Sequence, residues 1–117
     1  MRHRKAGKQL GRTRAPRKSL LRNLATDLIT RGAITTTEAK GKALRPYVEK
    51  LITIAKQKPY NQAKSQLRGK LFGKQAPLAV VRKYKERYKD RSGGYLRLIK
   101  AKIRRGDTTR LVRVEWV

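Results

Sequence analysis

Seven carboxylates, one imidazole and no thiol are what this 117-residue chain offers among the groups that most often build acid–base or metal sites. The acids stand at Asp27, Glu38, Glu49, Glu86, Asp90, Asp107 and Glu115, scattered rather than paired. A two-metal or acid–base site needs such groups to converge, and most of these have a structural use at hand. Glu38 falls at a helix start, Glu49 lies near Arg45 and Lys50, and Asp90 and Asp107 fall in turns. His3 has no second imidazole to share a metal with. The absence of Cys removes disulfides, thiolate metal sites and a thiol nucleophile, and fits a reducing compartment. The sequence therefore predicts no catalytic residues, no metal, no cofactor and no small-molecule substrate.

What remains is positive charge. Thirty-three Lys or Arg against seven acids give a formal charge of +26. One small domain carries it, and self-repulsion on that scale opposes compaction. An anionic partner is expected to complete the structure. No apolar run approaches the roughly 20 residues needed to cross a bilayer, so no membrane partner is predicted. The basic N-terminus lacks an apolar core segment, so Met1 reads as the mature start rather than a secretory signal.

The charge is unevenly placed. Residues 1–22 hold nine Lys or Arg and no acid, with Gly7 and Gly11 among them. Guanidinium groups fork onto phosphate oxygens and stack on bases, and glycines let backbone N–H groups approach an anion. Residues 56–89 hold eleven Lys or Arg against Glu86 alone; a solvated helix face and direct RNA contact explain that field equally well. Arg104-Arg105-Gly106 forms a third basic point at a turn. Tyr95 suits either base stacking or a core position, and Gly93-Gly94 either a turn or a close RNA backbone.

Among the elements that must carry these groups, residues 1–13 bury too little apolar surface to offset ordering and read as an extended arm. Leu20, Leu21, Leu24, Leu28 and Ile29 recur at helical spacing, with Thr13 as a cap, Pro16 in the first turn and Gly32 as terminator. This predicts a helix over 14–31, with Arg14, Lys18, Arg22 and Asp27 on the face opposite the core. Ala33 to Thr37 reads as a brief strand. A second helix follows to about Lys56, capped by Thr35 in a capping box with Glu38, or by Thr36 or Thr37. Pro46 is expected to kink it, and Gly41 to weaken it by up to about 1 kcal/mol relative to Ala. Short helices are predicted over 60–69 and from Pro77 to about Tyr88. After the Asp90–Gly94 turn, residues 95–102 and 111–117 alternate as two strands of an antiparallel hairpin. The fold class is α+β in two layers, in the order helix, strand, three helices, two strands, plus the basic arm. The domains are an arm over 1–13 and one nucleic-acid-binding body over 14–117.

Ordered blocks of residues resemble a known family. They include Met1-Arg2-His3, Leu10-Gly11-Arg12, Leu20-Leu21-Arg22-Asn23-Leu24-Ala25, Thr36-Thr37-x-Ala39-Lys40 and Leu44-Arg45-Pro46-Tyr47-Val48-Glu49-Lys50-Leu51-Ile52-Thr53. The C-terminal half adds Asp90-Arg91-x-Gly93-Gly94-Tyr95-x-Arg97 and Arg104-Arg105-Gly106-Asp107. Together, over roughly 1–56 and 84–117, they resemble the bacterial-type large-subunit ribosomal protein seventeen family. The resemblance implies a structural constituent of the large ribosomal subunit that binds rRNA near the peptide exit region beside other ribosomal proteins. The ribosome would be that of a bacterial cytoplasm or of an organelle with bacterial-type ribosomes. By matched position it implies RNA contacts at Arg2, His3, Arg12, Arg22, Lys40, Arg45, Arg91, Arg97, Arg104 and Arg105. Charge alone adds Arg4, Lys5, Lys8, Arg14, Arg17 and Lys18. Residues 57–83 depart from the family pattern. The rival readings by composition are a nucleoid-type DNA-binding protein and a secreted cationic membrane-active protein; the second lacks an unpartnered amphipathic helix and disulfides.

Overall fold

A computed structural model describes residues 14–103, 106 and 109–117. The predicted arm over 1–13 and the tip residues Arg104 and Arg105 lie outside the described residues, as does the side chain of Arg14.

Helix α1 spans Arg14–Arg31. Gly32 ends it with φ of 89°, donating its N–H to Leu28 O at 2.8 Å, the left-handed close that glycine adopts without a Cβ penalty. Ala25, Leu28 and Ile29 are buried. The expected sidedness of α1 is not what forms. At about 3.6 residues per turn, Lys18, Arg22, Ala25 and Ile29 fall on one stripe, so the basic residues share the core's side, one or two turns earlier. The outward side carries Ser19, Asn23, Asp27 and Thr30, all exposed. The helix is thus divided along its length: its basic first half precedes the apolar half that docks on the body.

Strand β1 (Ala33–Thr37) leads directly into helix α2 (Glu38–Gln57). Of the three rival caps it is Thr37 whose Oγ1 accepts the Lys40 N–H, at 3.4 Å. Thr35 is still in the strand, opposite Arg113, and Glu38 is the first helical residue, paired instead with Lys42 at 3.0 Å. The capping box therefore does not form. The helix continues through Pro46 and buries Gly41, Leu44, Val48, Leu51, Ile52 and Ala55. Gly41 has a tertiary reason to be there: a Cβ at this position would stand 2.7 Å from Val112 Cγ2 and 3.3 Å from Leu98 Cδ2. The missing side chain lets the helix lie close on the sheet.

Helix α3 spans Tyr60–Arg68. After a loop over 69–74, helix α4 (Gln75–Ala79), a π-helical turn (Val80–Tyr84) and α5 (Lys85–Arg87) run on as one rod, their junction residues all helical. Pro77 is the third residue of this rod rather than its start, where its missing N–H would have no intrahelical partner. Val80, Val81 and Tyr84 of the π turn all reach the core.

Strands β2 (Leu96–Ile103) and β3 (Arg110–Trp116) form the predicted antiparallel hairpin, with Leu98 opposite Val114 and a register shift between Lys100 and Ile103. Strand β1 pairs antiparallel with the other side of β3, giving the order β1-β3-β2. Val112, Val114 and Trp116 point into the core while Arg113 is exposed, so helices cover one face of the sheet. Tyr84 stacks on Trp116 with centroids 4.1 Å apart and donates to Ile29 O at 3.2 Å. Trp116 Nε1 donates to Leu28 O at 3.4 Å. These contacts bind α1, the helical rod and β3 together. Burial raises the phenols of Tyr84 and Tyr88 above the ordinary range.

Candidate nucleic-acid interface

The loop over 69–74 is where two basic elements meet. Arg22 of α1 donates from Nε and Nη2 to Leu71 O, at 3.3 and 3.1 Å, and from Nη2 to Arg68 O at 3.2 Å. Thr26 Oγ1, one turn on, accepts the Phe72 N–H at 3.0 Å. From α2, Tyr47 donates its hydroxyl to Lys70 O at 2.6 Å. Burial raises the Tyr47 phenol, partly offset by the nearby Arg22 charge. The backbone of the loop is thus held from two helices, and the side chains of Arg68, Lys70 and Lys74 stay exposed. Lys50 and Lys70 line a groove together with Glu49, Pro46, Tyr47 and Ile54. Phosphates at this loop would meet exposed cations carried on a backbone ordered in advance.

A second basic group gathers where α2 begins beside the far end of the sheet. Glu38 is held below the usual carboxylate range by its hydrogen bond to Lys42 and that residue's charge, with Arg110 and Lys100 adding to the effect. Three cations thus act on one acid, and Lys102 lines a recess with two of them, Lys100 and Arg110. The register shift after Lys100 belongs to this end, and such shifts re-aim side chains at sheet rims.

The predicted contacts divide by what their side chains do. Lys18 and Arg45 are exposed and form no ion pair among the described residues. Arg17 and Lys40 are half-buried on the first turns of α1 and α2. Arg22 is the loop anchor just described. Arg91 donates from Nε to Gly93 O at 3.0 Å, within a turn that α2 also holds. Lys56 there donates to Arg91 O and, at 2.9 Å, to the Tyr95 hydroxyl, and Glu49 accepts the Tyr95 N–H at 2.9 Å. Tyr95 itself is buried against Tyr88, 5.0 Å between centroids, so of its two readings the core position is the one observed. Arg97 shares Glu115 with Arg113, at 3.2 and 3.4 Å. Sequence reasoning missed Lys42, Lys100 and Arg110, whose grouping needs the helix start and the hairpin in one place. It treated Arg68, Lys70 and Lys74 only as part of a diffuse basic field.

Comparison with known proteins places the chain in a family. The profile of the family described as Ribosomal protein L17 matches residues 20–117. Over its whole length the chain is 44% identical to the large ribosomal subunit protein bL17 of Sulfurimonas denitrificans, covering 100% of both. It is 46% identical to that of Gemmatimonas aurantiaca over 118 residues, covering 98% of that protein. For Campylobacter jejuni the identity is 43% with 99% covered. The chain belongs to the ribosomal protein L17 family. Its place is therefore in the large subunit of the ribosome, as a structural constituent. For an L17 protein the DNA-compacting reading loses its support.

Proposed function

We propose that the chain binds large-subunit rRNA by phosphate and shape recognition, bracing adjoining rRNA segments during assembly near the peptide exit region and beside neighbouring ribosomal proteins. The arm over residues 1–13 and the Arg104-Arg105 tip extend the contact, and residues 14–117 act as one rRNA-binding body. One observation carries the reading. Glu38, Glu49, Glu86 and Glu115 are each engaged by groups within the chain, whereas Lys18, Arg45, Lys50, Arg68, Lys70 and Lys74 are exposed and form no ion pair among the described residues. These acids are taken up by contacts within the chain, which leaves exposed cations facing outward. Binding then draws on counterion release, which weakens linearly in log salt by about 0.7 to 0.9 per phosphate neutralised.

A salt titration tests this. Affinity for a large-subunit rRNA transcript and for a random DNA duplex is measured between about 50 and 200 mM salt. The proposal expects a steep slope on both, and at the higher salt a residual preference for the folded rRNA. Equal affinity for both polymers throughout would overturn it.

A further inference from the structure

Phe72 is the chain's one phenylalanine, and it lies in the loop over 69–74. It does not join the core: the residue is 37% exposed. A single exposed apolar side chain is ordinary, but this one is held in place. Its N–H is bonded to Thr26 Oγ1 at 3.0 Å, and the Arg22 guanidinium lies 4.2 Å from its ring centroid. The same guanidinium bonds Arg68 O and Leu71 O, so it cannot swing away without breaking the loop's anchor. Gly73, at φ of 74°, turns the chain immediately after the ring. Arg68, Lys70 and Lys74, within four residues of it along the chain, are all exposed, and no acid occurs between Glu49 and Glu86.

A rigid exposed ring among cations has the chemistry of a base-stacking platform. Unstacked RNA bases lie on aromatic faces while neighbouring cations take the flanking phosphates. A stacked guanidinium beneath the ring adds attraction to the platform and pre-orders it. We propose that Phe72 stacks an unpaired base of RNA, with Arg68, Lys70 and Lys74 on the adjoining phosphates and Arg22 as the positioning residue that holds the ring. This rests on the rRNA-binding reading above.

The test uses the full chain with Phe72→Leu and Phe72→Trp, each first shown by circular dichroism to keep the helical signal and melting point. Binding to a large-subunit rRNA transcript and to polyphosphate, which has charge but no bases, is measured across salt. Phe72→Leu is expected to lose about tenfold in RNA affinity, the equivalent of about 1.4 kcal/mol, with the salt slope unchanged and polyphosphate binding unaffected. Phe72→Trp is expected to retain affinity and to show emission quenched by RNA, beyond the response of the parent protein with its buried Trp116. Equal RNA affinity for Phe72→Leu and parent, a loss shared by polyphosphate, or no added quenching in the Phe72→Trp protein would each overturn the proposal. If the parent failed to prefer rRNA at all, the broader reading would fall instead.

Discussion

Replacing Gly41 by Ala sets two known effects against each other. Within an exposed helix the change stabilises by about 1 kcal/mol, because glycine loses more backbone freedom on folding. In this chain the added Cβ would meet Val112 Cγ2 at 2.7 Å, Leu98 Cδ2 at 3.3 Å and Val114 Cγ2 at 3.4 Å. Val112 cannot turn aside easily. It is β-branched and stiff about χ1, and it sits in β3, hydrogen-bonded to strands on both sides. Overpacking of this kind costs about 1–3 kcal/mol, so the clash outweighs the propensity gain. Gly41→Ala should be destabilised by about 1 kcal/mol net, lowering the melting point by about 3–6 °C for a chain of this size. Urea unfolding followed by Trp116 fluorescence, in moderate salt to screen the net charge, would measure it. The cause is separable: Val112→Ala removes the methyl that the added Cβ strikes, so the double variant should show a favourable coupling of about 0.5 kcal/mol or more. A stabilised Gly41→Ala, or strict additivity with Val112→Ala, would refute the close helix–sheet approach.

Arg22→Lys should destabilise the chain by about 1 kcal/mol, since an ammonium cannot span both carbonyls as the guanidinium does; protease cleavage within 69–74 should rise, and unchanged cleavage would count against the anchor. Deleting residues 2–12 should leave most of the helical signal while shallowing the salt slope of rRNA binding; an unchanged slope would reduce the arm to a solubility tail. Burial raises the phenol of Tyr84, so its stabilising effect is complete below the ordinary tyrosine range near pH 10 and is lost as pH rises through the raised folded value. Tyr84→Phe should therefore lose less stability between about pH 9 and 12 than the parent, read by alkaline unfolding with absorbance at 295 nm; equal losses would show that this phenol is not what fails.

Where the sequence is informative, the deciding contacts are local. The leucine spacing and Gly32 mark α1, and the alternation of Val112, Val114 and Trp116 marks β3. Where it misleads, the deciding contact is distant. The cap of α2 falls to Thr37 because pairing with β3 holds Thr35 in β1. Gly41 reads as a weak point of its helix until Val112 is placed beneath it. Lys18 and Arg22 read as the outer face of α1 because local patterning does not say where the body ends. Among the candidate contacts, Arg22 and Arg97 are legible as basic residues but not as side chains engaged with Leu71 O and Glu115. Phe72 carries no periodic signal, and only the loop's anchors single it out.

The central claim, that this chain is an integral rRNA-binding part of the large subunit, is tested most directly by sedimenting a cell lysate through a sucrose gradient in about half-molar salt, where nonspecific phosphate contacts dissociate. The account predicts that the chain migrates with the large subunit at that salt. Its release to the top of the gradient, or its recovery with DNA, would contradict it.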